Sequence, residues 1–165
     1  MVLDILRWIA STELSIFVRE SSWAFPVIEC VHVIGLTLVV GTVAVVDLRL
    51  LGLASTGRRY SALAQAVLPW TWGAFAVAAA AGALMLISKP LAYVENPDLR
   101  VKLALILAAA CNMAVFQLFV RGTVADWDGD ATPPLPARIA GAVSLLCWIA
   151  VVVFGRRIGF SMALP

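Results

Sequence analysis

Four runs of the sequence, at about residues 23–46, 62–88, 101–120 and 137–154, are apolar on every face of a helix rather than on one stripe. The second contains no charged residue at all. A helix crossing the hydrocarbon core needs about 20 mostly apolar residues, and a chain with four such runs has few ways to fold outside a bilayer. Composition agrees, with 62% hydrophobic and 13% charged residues, where soluble domains carry about half and a quarter. The pattern predicts an all-α, integral membrane four-helix bundle forming one transmembrane domain over residues 1–165.

The first run is entered through Ser21 and Ser22 as caps, with Pro26 in the first turn, where a missing N–H does no harm. Before it, Leu3, Leu6, Ile9, Ile16 and Phe17 recur near helical spacing with charges between them. Residues 2–20 are therefore predicted to form an amphipathic segment lying in the membrane interface. Asp4, Arg7, Glu13, Arg19 and Glu20 interrupt that stretch, so it does not read as a secretory signal. Four spans put both termini and the second loop on one side, with seven Lys and Arg against five on the other. The positive-inside rule then predicts cytoplasmic termini. "GAFAVAAAAGA" (73–83) and the small residues Ala108, Cys111, Asn112, Ala137, Gly141 and Ser144 predict close helix packing, within the bundle or between copies in a homo-oligomer.

His32, the only histidine, lies about nine residues into the first run, with Glu29 one turn before it and Gly35 one turn after. Ionisable groups within a span are costly and point by default to function. One reading makes His32 the axial ligand of haem b, the metal-binding residue of the chain. Glu29 would orient it, Gly35 would leave room for a flat macrocycle, and Arg100, Lys102 and Arg157 would hold the propionates. With no second histidine, the iron would be five-coordinate, borrow Met85 or Met113, or be shared by two protomers. A second reading places Glu29 and His32 on a proton or ion path. In a third, they are an interhelical polar pair in a cofactor-free scaffold or small transport subunit.

Other features carry less chemistry. Cys30, Cys111 and Cys147 sit in apolar segments without metal-ligand spacing and read as small hydrophobes. Asp47 and Arg49, two apart, point to different faces, each toward a partner on another helix or at the interface. Trp70 and Trp72 are expected as interfacial anchors, with a pigment pocket as the alternative, and Asn112 and Gln117 as interhelical hydrogen bonders. Asp126, Asp128 and Asp130 alternate as in a calcium loop, but Ala131 and Ala137 stand where that loop needs glycine and glutamate. A net charge of +2 is too small to suggest nucleic acid, and no nucleophile–base pair or phosphate-binding glycine loop is present.

"ESSWAFPVIECVHVIGLTLVVGTVAVVDLRLLG", "LPWTWGAFA", "NPDLRVKLALILAAACNMAVF" and "PPLPARIAGAVSLLCWIAVVVFGRRIGF" together resemble a family of small four-helix bacterial inner-membrane proteins of unassigned function. The resemblance implies a compact helical membrane protein with Glu29, His32, Asp47, Arg49 and Arg157 in its motif positions, and implies no reaction. More loosely, "CVHVIGLTLVVG" is similar to the opening helix of cytochrome b-like and copper-resistance membrane proteins, which carry further histidines on later spans. Haem-linked electron transfer or sensing, with an unidentified redox partner, is the leading expectation.

Overall fold

The structure, a computed structural model, describes residues 1–163, and every regular element in it is helical. Two short helices, α1 (Val2–Ala10) and α2 (Glu13–Glu20), precede α3 (Ala24–Leu51) and α4 (Tyr60–Ser88). A short α5 (Pro90–Glu95) leads into α6 (Pro97–Val115). The helical path then continues through a wide π-helical turn (Phe116–Val120) and a 3-10 turn (Arg121–Thr123) into α7 (Val124–Trp127). The last helix is α8 (Leu135–Ala163). Four stretches, Ala24–Leu51, Tyr60–Ser88, Pro97–Trp127 and Leu135–Met162, are long and apolar enough to span a bilayer, with mean hydropathies of 2.1, 1.7, 2.2 and 2.2. The chain is a multi-pass, all-α membrane protein built as a four-helix bundle, as the pattern predicts.

Each span passes a predicted limit, α3 at its C-terminus, α4 at its N-terminus and the third and fourth at both ends, and for α3 and α6 caps rather than the first charge set the ends. Ser21 Oγ accepts from Ala24 N at 3.3 Å at the start of α3. That helix ends at Gly52, whose φ of +73° is the left-handed conformation that favours glycine. The start of α6 is four residues earlier than expected, at 97 rather than 101, because Asn96 Oδ1 accepts from Asp98 N at 2.9 Å. Nor do Arg156 and Arg157 end α8. Arg156 lies over the Phe160 ring at 4.6 Å and Arg157 over Phe154 at 5.4 Å, so long side chains carry their charge outward along the helix.

Within the bundle α3 packs on α4 and α8, and α8 on α6. Small residues set these contacts. A Cβ on Gly141 would lie 2.9 Å from Leu50 Cβ and 3.0 Å from the Asp47 carbonyl oxygen. Polar side chains bridge the same seams: Thr71 Oγ1 donates to Thr42 Oγ1 at 2.9 Å between α4 and α3, and Asn112 Nδ2 donates to the Ala140 carbonyl at 2.9 Å between α6 and α8. Asn112 is thus the interhelical bonder expected of it. Gln117 instead accepts from Arg121 one turn along its own chain, at 3.1 Å.

Both ends of the bundle are tied. At the loop end Arg49 is fully buried: Nε donates to the Arg58 carbonyl at 2.8 Å, and Nη2 to the Asp128 and Asp130 carbonyls at 3.2 and 3.0 Å. Beside it, Asp128 caps α4 from across the bundle, its two carboxylate oxygens accepting from Ser61 N and Ser61 Oγ, both at 2.7 Å. These Ser61 bonds hold the Asp128 carboxyl below its ordinary 3.8. A carboxyl depressed by folding contributes its stability above the ordinary value and loses it as the pH falls through the folded one. Asp128→Ala should therefore lower the melting temperature at pH 7 by about 2–4 °C, for about 1 kcal/mol of capping. The variant should converge on wild type in acid melts followed by circular dichroism.

At the other end α1 and α2 fold back on α5 and α4. Ser15 Oγ donates to the Ile87 carbonyl at 3.0 Å, while Leu3, Ile5, Trp8 and Phe17 stay exposed. An apolar face left uncovered beside a bundle suits the predicted interfacial position.

Candidate functional site

Two polar constellations lie inside the bundle, one toward each end. The first centres on His32 and draws a group from every spanning helix. Its Nδ1 is 2.7 Å from the Ala78 carbonyl of α4, and its Nε2 is 3.3 Å from Lys102 Nζ of α6. A carbonyl only accepts and an ammonium only donates, so the two partners set the tautomer: Nδ1 carries the proton, and Nε2 receives from lysine. Glycines make the space. A Cβ on Gly82 would stand 3.0 Å from His32 Cε1, and one on Gly155 of α8 would stand 3.2 Å from Lys102 Nζ.

Of the six predicted site residues, only His32 and Lys102 meet. Glu29 is exposed one turn before His32 and faces Tyr93, whose phenol is pushed up by burial and further by that carboxylate. Gly35 opens no slot: a Cβ there would meet Ala78 Cβ at 3.1 Å and the Ala74 carbonyl at 3.2 Å, so α4 fills that face. Arg100 Nε and Nη2 donate to the Val94 carbonyl at 3.1 and 3.0 Å. Arg157 Nε pairs with Asp98 Oδ1 at 3.1 Å. The latter two arginines are committed to closing the α5–α6 corner and fastening α8 to α6. The Gly82 and Gly155 contributions went unread in the sequence, because their link to His32 and Lys102 exists only across helices.

Deleting the pair tests its strength. Polar contacts between spanning helices average about 0.6 kcal/mol and reach about 1.7. A double-mutant cycle of His32→Phe and Lys102→Met should give a coupling near the upper value, read by unfolding in detergent. A coupling near zero would mean that the Ala78 carbonyl, and not Lys102, holds the imidazole across the bundle.

The second constellation is a cavity of about 300 Å³ between the four spanning helices. Its polar end holds Asp47 and Tyr60; toward the bundle middle stand Thr71, Trp72, Phe75 and Trp148. Asp47 is only 4% exposed, and its Oδ2 has no hydrogen-bond partner. Ser144 of α8 is its side-chain hydrogen-bonding neighbour. Among the described residues, no lysine or arginine nitrogen comes within 4.0 Å of it. The wall is aromatic: Tyr60 packs edge-on to Phe116 at 5.8 Å, and Phe75 edge-on to both Trp72 at 6.2 Å and Trp148 at 6.4 Å. Of the two tryptophans, Trp72 lines the cavity, the alternative to an anchor given above, and Trp70 stays exposed on the outside of α4. Among the described residues, no three of His, Cys, Asp or Glu converge on one point that could hold a metal ion.

Fold and sites together define a small four-span helical membrane protein with a polar lock at one end of its bundle and a cavity toward the other. The chain belongs to a family of unknown function (DUF6644), whose profile matches residues 19–161. No curated protein and no solved structure matches it.

Proposed function

We propose that the protein is a membrane-embedded binding subunit, a small carrier or accessory component, that holds a mostly apolar small molecule within its helix bundle. The observation that carries this reading is the 300 Å³ cavity with a buried carboxylate at one end whose Oδ2 is unpartnered. Pockets for small ligands are concave and largely apolar, with a few placed polar groups, and a buried oxygen without a partner costs about 1–3 kcal/mol or more. A ligand that completes Asp47 recovers that cost. In this reading His32 and Lys102 fasten α3, α4 and α6 together and stand apart from the ligand. The termini face the cytoplasm on the charge count, and the bilayer is a bacterial inner membrane on the resemblance. Homo-oligomers form through the small residues that α4 leaves exposed, Gly73, Ala76 and Ala80.

Tryptophan fluorescence tests it, since Trp72 and Trp148 line the cavity. Saturable quenching by aromatic ligands of about ten non-hydrogen atoms is expected in wild-type nanodiscs and should be lost in Ser144→Leu, which fills the cavity. A series of neutral, cationic and anionic aromatics that gives no saturable signal rejects the reading.

One contact keeps haem as the second reading. The His32 Nδ1–H bond to the Ala78 carbonyl is the orientation a metal-bound imidazole requires, and the looser likeness of the first span points the same way. Iron could reach Nε2 only after Lys102 Nζ swings off it. A Soret band in the purified protein that shifts on dithionite reduction and disappears in His32→Ala would establish haem. A colourless preparation from haem-replete cells would reject it.

A further inference from the structure

We infer that the ligand of the cavity is a protonated primary amine carrying an aromatic or aliphatic tail, with its ammonium on Asp47 Oδ2. The inference rests on the binding role proposed above and names the chemistry that role requires.

Three observations converge on the charge. Asp47 is 96% buried, from its 4% exposure, and its Oδ2 is unpartnered, so the group that completes it must donate. Arg49, two residues on, keeps an unpartnered Nη1 of its own, but none of its nitrogens lies within 4.0 Å of the Asp47 carboxylate, its Nε and Nη2 donate to loop carbonyls, and it does not line the cavity. No other lysine or arginine nitrogen reaches within 4.0 Å among the described residues. An N–H donor that also carries positive charge answers both needs, and a charge-assisted bond is about twice as strong as a neutral one.

The shape selects an organic cation over a metal ion or water. One carboxylate with a few neutral oxygens is a poor cage for magnesium or calcium, which take six or more oxygen ligands. Water needs two to four polar partners, which the mostly apolar wall away from Asp47 does not supply, so water alone leaves most of the cavity unfilled. Away from that end the wall is Phe75, Trp72 and Trp148, suited to an apolar tail. Tyr60 and Phe116, packed edge to face at 5.8 Å, both line the cavity and place aromatic rings where a cation would sit. At about 30 Å³ per water-sized group, 300 Å³ holds about ten non-hydrogen atoms.

Two isosteric probes decide the matter: 2-phenylethylammonium and 2-phenylethanol, titrated calorimetrically into the full-length protein in nanodiscs, with empty nanodiscs subtracted. The ammonium should bind at least about tenfold tighter than the alcohol. Asp47→Asn, which keeps the shape and removes the charge, should bring the two within about threefold. If the alcohol binds wild type as tightly as the ammonium, the cavity reading stands and the ammonium assignment falls. If neither binds, or if binding survives the filled cavity of Ser144→Leu, the cavity reading falls and takes this assignment with it. The wild-type comparison alone suffices if Asp47→Asn does not fold.

Discussion

Arg49→Ala is expected to cost about 3 kcal/mol and to lower the melting temperature by about 6–12 °C, at 2–4 °C per kcal/mol for a chain of this size. The guanidinium is fully buried and makes three hydrogen bonds to backbone carbonyls on two different loops. A hydrogen bond to a charged group contributes about 1.5–3 kcal/mol. Three would sum to more than the expected loss, but loop carbonyls at the bundle end regain water once the side chain is gone. Arg49→Lys should recover less than half, because a single ammonium cannot reproduce the planar fork that spans Arg58, Asp128 and Asp130. Thermal melts of the detergent-solubilised variants measure both. A loss below about 1 kcal/mol would mean that the loops are held by Asp128 and Ser61 instead.

Gly141→Leu is expected to separate α8 from α3 and prevent a stable bundle, with Gly141→Ala already costing about 1–3 kcal/mol. A methyl at Gly141 meets Leu50 Cβ at 2.9 Å and the Asp47 carbonyl oxygen at 3.0 Å. Backbone cannot swing aside as a side-chain tip can. The sign is informative, because alanine is the better helix former by about 1 kcal/mol, and packing must overcome that advantage before any loss appears. Gly41 and Gly73 supply the contrast: a Cβ on either meets nothing within 4 Å. Gly41→Ala and Gly73→Ala should be neutral or stabilising by up to about 1 kcal/mol. Unfolding in mixed micelles, with all four variants side by side, gives the ranking. Equal changes across the three alanine variants would mean that close approach at Gly141 adds nothing to the effect of helix propensity.

The spans were legible in the sequence because hydrophobicity is additive along a helix and needs no partner. Their ends were less so: Asp47 and Arg49 look like the end of a span when read along one chain, yet α3 carries both inside the protein to Leu51. His32 stood out by its chemistry, and so did Lys102 by its position near the start of a span. Their meeting could not be read, since nothing local distinguishes a lysine that reaches a histidine from one that snorkels to the surface. Gly35 shows the opposite error. A glycine one turn from a histidine suggests space, but an apolar helix fills such a gap with its neighbour, and Ala78 occupies it. The cavity at Asp47 was the least legible feature, because its wall is assembled from four helices and its defining property is a missing partner.

The wide turn at Phe116–Val120 shifts the phase of the helical path. A turn of this kind carries one residue more than an α-helical turn, a lag of about 100° at 3.6 residues per turn, of which the tighter 3-10 turn at Arg121–Thr123 gives back about 60°. That delay lets Trp127 meet Tyr60, with ring centroids 5.5 Å apart, and brings Asp128 to Ser61. Deleting one residue from 116–120 would leave the composition of the span almost unchanged and heal the helix. It would also turn the clamp to face the wrong way, so that the position of every downstream side chain on this path depends on a single spare residue.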